Sequence, residues 1–374
     1  MRIAYFINSM NGGGAESPLP RIVFALEKAG AEVGVFALTR GGGRAIPWLR
    51  RAGIEPVIRE GGEKDHIAAL RWIEERARGW DAEIIWTSLT RATLLGQIVG
   101  KRLNIPVVSW QHNSFLKPWN ERLLRWRAKA SDIWIADSGS VAEFAQAKLK
   151  IAPHSLVTWP IFAVTPNAPQ ARAWRESEMI RIGSLGRLER AKGYDILIDA
   201  LVLLRDRGFV PPVPFHIKIG GVGSCEEELK SRMQAAGINN LDFSGFINDP
   251  ASFLSEQHIY LQPSRYEGFC IATHEAIQAG LPVIVSQAGE MPLTVNSDNF
   301  GRTVPVGDVE TLADALVDLL SKPAILYEMG QSARARILER FSQDRFDVVA
   351  AHIVDRCKRL QAGSPSAPMA QIEG

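Results

Sequence analysis

One pattern occurs twice along this chain: a short apolar run, a turn, then a longer amphipathic stretch. In the first half the apolar runs are Arg2–Ile7, Glu32–Leu38, Pro56–Ile58, Glu83–Thr87, Pro106–Trp110 and Ile133–Ala136. Helical spacing of apolar residues recurs between them, over Arg21–Ala29, His66–Arg78, Ala92–Leu103 and Asn120–Ala130. Strands alternating with helices of about 10–15 residues fold as βαβ units, giving a parallel sheet covered on both faces. Ala163–Ser177, with two prolines and little periodicity, breaks the pattern as a linker would. It then resumes at Ile180–Ser184, Pro214–Ile219, Leu241–Ser244, Ile259–Gln262, Pro282–Ser286 and Gly301–Val304. The expectation is an α/β chain of two Rossmann-like, doubly wound parallel-sheet domains, residues 1–165 and 178–345, facing each other across a cleft. A last helical pattern covers Gln343–Leu360, with 346–361 standing as a separate C-terminal helix. The tail 362–374, rich in Ser, Pro and Ala, reads as disordered.

A length of 374 residues suffices for two such domains. Net charge is only +2, yet residues 1–165 hold 22 basic against 15 acidic side chains and residues 166–374 hold 21 against 26. A basic first half fits an anionic partner or surface, and equally two surfaces of scattered charge. Three cysteines without a C-x-x-C pair argue against a disulfide framework or a zinc site and for a reducing cytoplasm. The first apolar run is too short for a signal peptide, and no window nears the roughly 18 apolar residues of a membrane span. A cytoplasmic chain, free or peripheral on the inner face of the membrane, is expected.

Four segments sit where strands end. Asn11–Glu16 (N-G-G-G-A-E) follows the first strand, and the amides of Gly13 and Gly14 can approach a phosphate or sugar closely; a plain tight turn reads the same way. It is not G-x-G-x-x-G, which disfavours a dinucleotide site. In Gly186–Gly193 (G-R-L-E-R-A-K-G), Arg187 and Lys192 lie five apart across a turn that opens a helix. Two cations beside a helix N-terminus form a diphosphate clamp, or else ordinary surface charge. Ile219–Gly223 (I-G-G-V-G), with Gly221 at its centre, suits either close approach to a nucleotide or a packing turn. Pro263–Ala276 (P-S-R-Y-E-G-F-C-I-A-T-H-E-A) is the most specific. Glu267 and Glu275 would be about 80° apart on one helix, so they do not share a face. Pro263 and Gly268 put Glu267 in a loop, with the helix starting near Cys270 or Ile271 and closing at Gly280. The amides of Gly268, Phe269, Cys270 and Ile271 would then face phosphate oxygens. One carboxylate would meet a reacting sugar and the other ribose hydroxyls.

With Phe243–Asp249 (F-S-G-F-I-N-D), these motifs resemble the retaining family 4 glycosyltransferases of GT-B fold, in motif order over most of residues 1–345. The resemblance implies a C-terminal domain for a UDP- or GDP-linked nucleotide-sugar donor and an N-terminal domain for a glycan or lipid-linked acceptor. It implies that Arg187 and Lys192 hold the diphosphate, Glu275 the ribose, and that Glu267 lies near the donor sugar. Phe246 and Ile247 match the base-binding backbone, and His112, in S-W-Q-H-N-S, matches a histidine near the sugar. Cys270 stands where the family usually has Gly, and His274 where it usually has an aliphatic residue. Ala288–Pro292 (A-G-E-M-P) matches a family segment loosely, and Ser17–Pro20 (S-P-L-P) interrupts the expected start of the first helix.

No D-x-D pair occurs, so the diphosphate would be neutralised by cations and helix N-termini with neither metal nor other cofactor. Lys117–Lys129 interleaves Trp119 and Trp126 with Arg122, Arg125, Arg127 and Lys129, which suits an anionic membrane surface or an ordinary packed helix. No nucleic-acid module is present. A sugar-nucleotide epimerase or hydrolase, or a non-catalytic binding subunit, would use the same nucleotide motifs.

Overall fold

The computed structural model describes residues 1–362, so the expected tail lies, but for Ala362, outside the described residues. The chain forms two compact units, Met1–Ala163 with the segment from Gln343 onward, and Val164–Ser342.

The first unit holds seven parallel strands: β1 (Arg2–Ile7), β2 (Glu32–Ala37), β3 (Val57–Ile58), β4 (Ile84–Ser88), β5 (Val107–Gln111), β6 (Ile133–Ala136) and β7 (Leu156–Thr158). Their order is β3-β2-β1-β4-β5-β6-β7. The middle strands β4, β5 and β6 are buried along their whole length, as unbroken apolar runs covered on both faces must be. The helix Leu19–Lys28 begins directly behind Pro18, with Pro20 in its first turn. Amides there have no intrahelical partner, so the prolines of S-P-L-P open the helix at no cost in hydrogen bonds.

The closing helix Gln343–Gln361 belongs to this first unit. Phe346 packs on Trp159 with ring centroids 4.8 Å apart, and Asp347 pairs with Lys28 at 2.7 Å. Read from sequence as a separate helix, it is the cover of the N-terminal sheet.

The second unit holds β8 (Ile180–Leu185), β9 (Phe215–Gly220), β10 (Leu241–Phe243), β11 (Ile259–Gln262), β12 (Val283–Ser286) and β13 (Gly301–Val304), all parallel, in the order β10-β9-β8-β11-β12-β13. The segment read as a linker is fastened to this unit. Thr165 N–H donates to the Gln278 side chain at 2.5 Å, Ala171 N–H to the Ala279 carbonyl at 2.7 Å, and Arg334 to the Pro166 carbonyl at 2.6 Å.

In each sheet the strand order reverses once, between β1 and β4 and between β8 and β11. Connections leaving the carboxyl ends there run to opposite faces, and the crevice they leave is where such sheets take ligands.

Candidate active site

In the second unit the two loops at the reversal are Gly186–Gly193, after β8, and Pro263–Cys270, after β11. Glycine lets them touch. A Cβ on Gly193, at φ +70°, would lie 2.0 Å from the Pro263 carbonyl oxygen, and one on Gly221 would lie 1.8 Å from that of Gly186. Lys192 thereby reaches across to Glu267, Nζ to Oε1 at 2.6 Å. Burial alone would lower the lysine's pKa, but Glu267 outweighs it and the shift is upward, so the ammonium stays charged.

Glu267 is held from below. Ser264 donates to its Oε1 at 2.6 Å, Gln262 Nε2 donates to Ser264 Oγ at 2.8 Å, and Tyr260 donates to Gln262 Oε1 at 2.6 Å. Arg265 clamps the same two loops from the side, donating to both oxygens of Asp195 at 2.6 and 2.7 Å. None of these supporting residues stands out in the sequence. Tyr260, Gln262 and Ser264 alternate along a buried strand end, and that is the only signal they carry. Arg187 differs: it is exposed, and its guanidinium has no hydrogen-bond partner among the described residues.

The helix expected after this loop runs Ile271–Gln278, and Gly280 follows at φ +81°. Cys270 caps it in the left-handed region at φ 64°, which explains why glycine suits this position. Burial, then the charge of Glu267, pushes its thiol up to about 12. The Phe269 side chain turns inward and stacks on His274 with ring centroids 3.9 Å apart, so at this position only the backbone is left for a ligand. His274 lies fully buried, bonded to the Cys270 carbonyl at 2.9 Å and Thr294 Oγ1 at 3.0 Å. Burial lowers it to about 3, so it is a neutral core residue. Gly268 accepts from the Glu290 amide at 2.9 Å, and Glu290 pairs with Arg340. Glu275 sits half-buried in the second turn.

The third loop lies alongside. Gly221 N–H donates to the Gly245 carbonyl at 2.7 Å, and Ile247 packs against Gly220, bringing Phe246 and Ile247 beside the end of β9.

In the first unit, His112 follows β5 and is flanked by the ends of the neighbouring strands. Its Nε2 lies 2.5 Å from Ser88 Oγ, and its Nδ1 lies 3.0 Å from both oxygens of Asp137. Burial raises the pKa of Asp137, against the opposing pull of His112 and of the Trp110 N–H. Gly13 and Gly14 fall in the turn after β1. The Gly13 amide donates to Glu16 at 2.9 Å, so a carboxylate of the chain itself takes the place expected for a phosphate; Gly14 is exposed. Burial raises Glu16 as well.

The basic aromatic segment forms the helix Pro118–Trp126, with Leu124 turned into the core. Trp119 and Trp126 are 67% and 78% exposed, and Arg122, Arg125 and Lys129 are exposed with them. Arg127 is not on that face, because its Nε donates to Gln97 at 3.1 Å. Among the described residues no helix is long and apolar enough to cross a membrane, and no group of three His, Cys, Asp or Glu side chains could hold a metal ion.

Two parallel-sheet α/β units, of seven and six strands, are the architecture of the GT-B glycosyltransferase class. Residues 169–336 match the family model of glycosyl transferases group 1, and residues 12–162 match that of glycosyltransferase family 4. The chain belongs to these GT-B glycosyltransferases. It is 23% identical over 333 residues to the lipopolysaccharide core biosynthesis mannosyltransferase LpcC of Rhizobium leguminosarum bv. viciae, covering 80% of this chain and 87% of that one. It is 25% identical over 225 residues to the O-antigen chain mannosyltransferase C of Escherichia coli, 58% and 56% of the two chains. In fold it is similar to Anabaena Alr3699/HepE, solved in complex with UDP-glucose, with a TM-score of 0.80 at 19% identity over 95% of this chain and 99% of that one.

Proposed function

We propose that this glycosyltransferase is retaining and metal-independent. It takes its sugar from a UDP- or GDP-linked donor and passes it to a lipopolysaccharide, polysaccharide, glycolipid or other lipid-linked acceptor. The observation that carries this reading is the Lys192–Glu267 pair, with exposed Arg187 beside it, on the loops flanking the order reversal of the second sheet. A diphosphate resting there meets the Arg187 fork, the Lys192 ammonium and the first amides of the helix Ile271–Gln278. Glu275 takes the ribose, the backbone at Phe246 and Ile247 the base, and Glu267 and His112 the donor sugar.

In the transfer, the bond from the anomeric carbon to the β-phosphate oxygen breaks and its electron pair leaves with the diphosphate. The acceptor oxygen bonds to that carbon on the same face, and its proton passes to a diphosphate oxygen. Negative charge grows on the leaving group, and fixed cations stabilise it most in the transition state. The acceptor class is supported by the mannosyltransferases named above.

The exposed Trp119, Trp126, Arg122, Arg125 and Lys129 support a second element: attachment of the N-terminal unit to the anionic inner face of the cytoplasmic membrane.

A thermal-shift panel of UDP-glucose, GDP-mannose, UDP, GDP and NAD tests the donor. One nucleotide series raises the melting temperature, since a ligand of the native state alone stabilises it. No shift with any activated sugar would overturn the reading. Product analysis separates transfer from epimerisation or hydrolysis, because only transfer requires an acceptor.

A further inference from the structure

Ser88, His112 and Asp137 stand together at the carboxyl ends of three strands of the first sheet because β4, β5 and β6 are neighbours and parallel. All three are buried, at 0%, 8% and 3% exposure. Both oxygens of Asp137 face Nδ1 of His112 at 3.0 Å, and one of them also accepts the Trp110 Nε1–H at 2.5 Å. Trp110 Nε1–H can only donate, so Asp137 accepts there, and as a carboxylate it has no proton to give Nδ1; Nδ1 therefore carries the imidazole's proton. Nε2, 2.5 Å from Ser88 Oγ, is left as the nitrogen that can accept a hydroxyl. The other buried acid whose charge reaches His112 is Glu16, from the loop after β1.

The ring's face is fixed too. His112 stacks on Trp110 at 5.4 Å, Trp110 on Trp159 at 4.9 Å, and Trp159 meets Phe346 at the start of the closing helix. Orientation, tautomer and one hydrogen-bond partner are therefore all set by residues that no ligand need touch.

We propose that Asp137 and Ser88 are positioning residues for glycosyl transfer. Asp137 keeps the proton on Nδ1 of His112, which makes Nε2 the working nitrogen. Ser88 supplies the hydroxyl that Nε2 accepts until a substrate hydroxyl takes its place. The proposal rests on the reading above that His112 serves the donor sugar.

The test uses the full chain labelled with 15N-histidine, observed by long-range nitrogen–proton correlation in the alkaline range. His274, whose Nδ1 donates to the Cys270 carbonyl, gives one Nδ1–H imidazole; a second shows the same tautomer, and its signals vanish in His112→Ala. In Asp137→Asn the same imidazole moves to the Nε2–H form or to a mixture. Ser88→Ala, a milder change, keeps the Nδ1–H tautomer but shifts the Nε2 resonance. With the donor found in the thermal-shift panel, Asp137→Asn lowers kcat by at least about tenfold, as expected for a turned imidazole, while the donor KM changes less. Combining it with His112→Ala lowers kcat no further. An Nε2–H tautomer in the wild type, an unmoved Nε2 resonance in Ser88→Ala, or wild-type turnover in Asp137→Asn beside an impaired His112→Ala overturns the proposal. Full turnover in His112→Ala removes the reading of His112 itself, and the proposal with it.

Discussion

Lys192 Nζ lies 2.6 Å from Glu267 Oε1, joining two loops whose pairing residues are 75 positions apart in the chain. The carboxylate is 8% exposed and the lysine 18%, so each is the other's principal compensation for leaving water.

Arg187 and Lys192 should therefore fail differently. Both are assigned to the leaving diphosphate, and Arg187→Ala and Lys192→Ala each lower kcat by about 10²–10³-fold. The Arg187 guanidinium is exposed and has no hydrogen-bond partner among the described residues, so its removal changes stability by less than about 0.5 kcal/mol. Lys192→Ala leaves a buried carboxylate without its cation and costs about 3 kcal/mol or more. Urea unfolding beside steady-state kinetics separates the two. Equal destabilisation by both would contradict the assignment.

Gly193→Ala should damage the site without touching a charged group. Its new Cβ would overlap the Pro263 carbonyl oxygen, at 2.0 Å, with a backbone already at φ +70°. Neither atom sits at the end of a flexible side chain, so the loops must separate and the Lys192–Glu267 contact must lengthen. Turnover and melting temperature fall together, the latter by several degrees. A variant as stable and active as the wild type would show that the loops have slack.

His274 makes stability depend on pH. Its folded pKa, about 3, lies below the ordinary value near 6.5, so between those values the unfolded chain binds a proton that the folded chain does not. The stabilisation is present above about pH 6.5 and declines as pH falls through that window, by about 1.4 kcal/mol per unit. His258, lowered to about 4 first by burial and then by Arg181, acts in the same sense over a narrower range. His274→Leu should flatten the acid limb of a urea-unfolding series while losing the bonds to Cys270 and Thr294 at neutral pH. Parallel acid limbs in variant and wild type would refute this.

Trp119→Ala with Trp126→Ala should abolish co-sedimentation with vesicles containing phosphatidylserine or phosphatidylglycerol, and Arg122→Glu should weaken it in a salt-dependent way. Fold and turnover on a soluble acceptor analogue stay unchanged, because these side chains stand in water. Binding to neutral and anionic vesicles alike, or to neither, would count against the membrane face.

Much of the fold was legible because its signals are local. The strand Arg2–Ile7, the helix start at Ile271 and the closing glycine at Gly280 were all read from neighbours along the chain. The helix Gly139–Ala147 and the strand β7 were not anticipated. The helix is short and capped by Ser138 alone, and the strand has three residues. The expected linker proved to be part of the second unit, because its hydrogen bonds go to Gln278, Ala279 and Arg334, far along the chain. The clamp arginine, lysine and two glutamates were visible as a motif. Ser264, Gln262, Arg265 and Asp195, which hold them, were not.

Order along the chain sufficed to specify two parallel sheets and the loops at their carboxyl ends, since periodicity and turn chemistry act within a few residues. It could not specify that Glu16 would take the Gly13 amide, that Asp137 and Ser88 would close on His112, or that the last helix would cover the first sheet. Those contacts join residues from 3 to more than 180 positions apart. They exist because strand adjacency and glycine-permitted approach bring them together, and packing alone decides which of the many compatible partners meet.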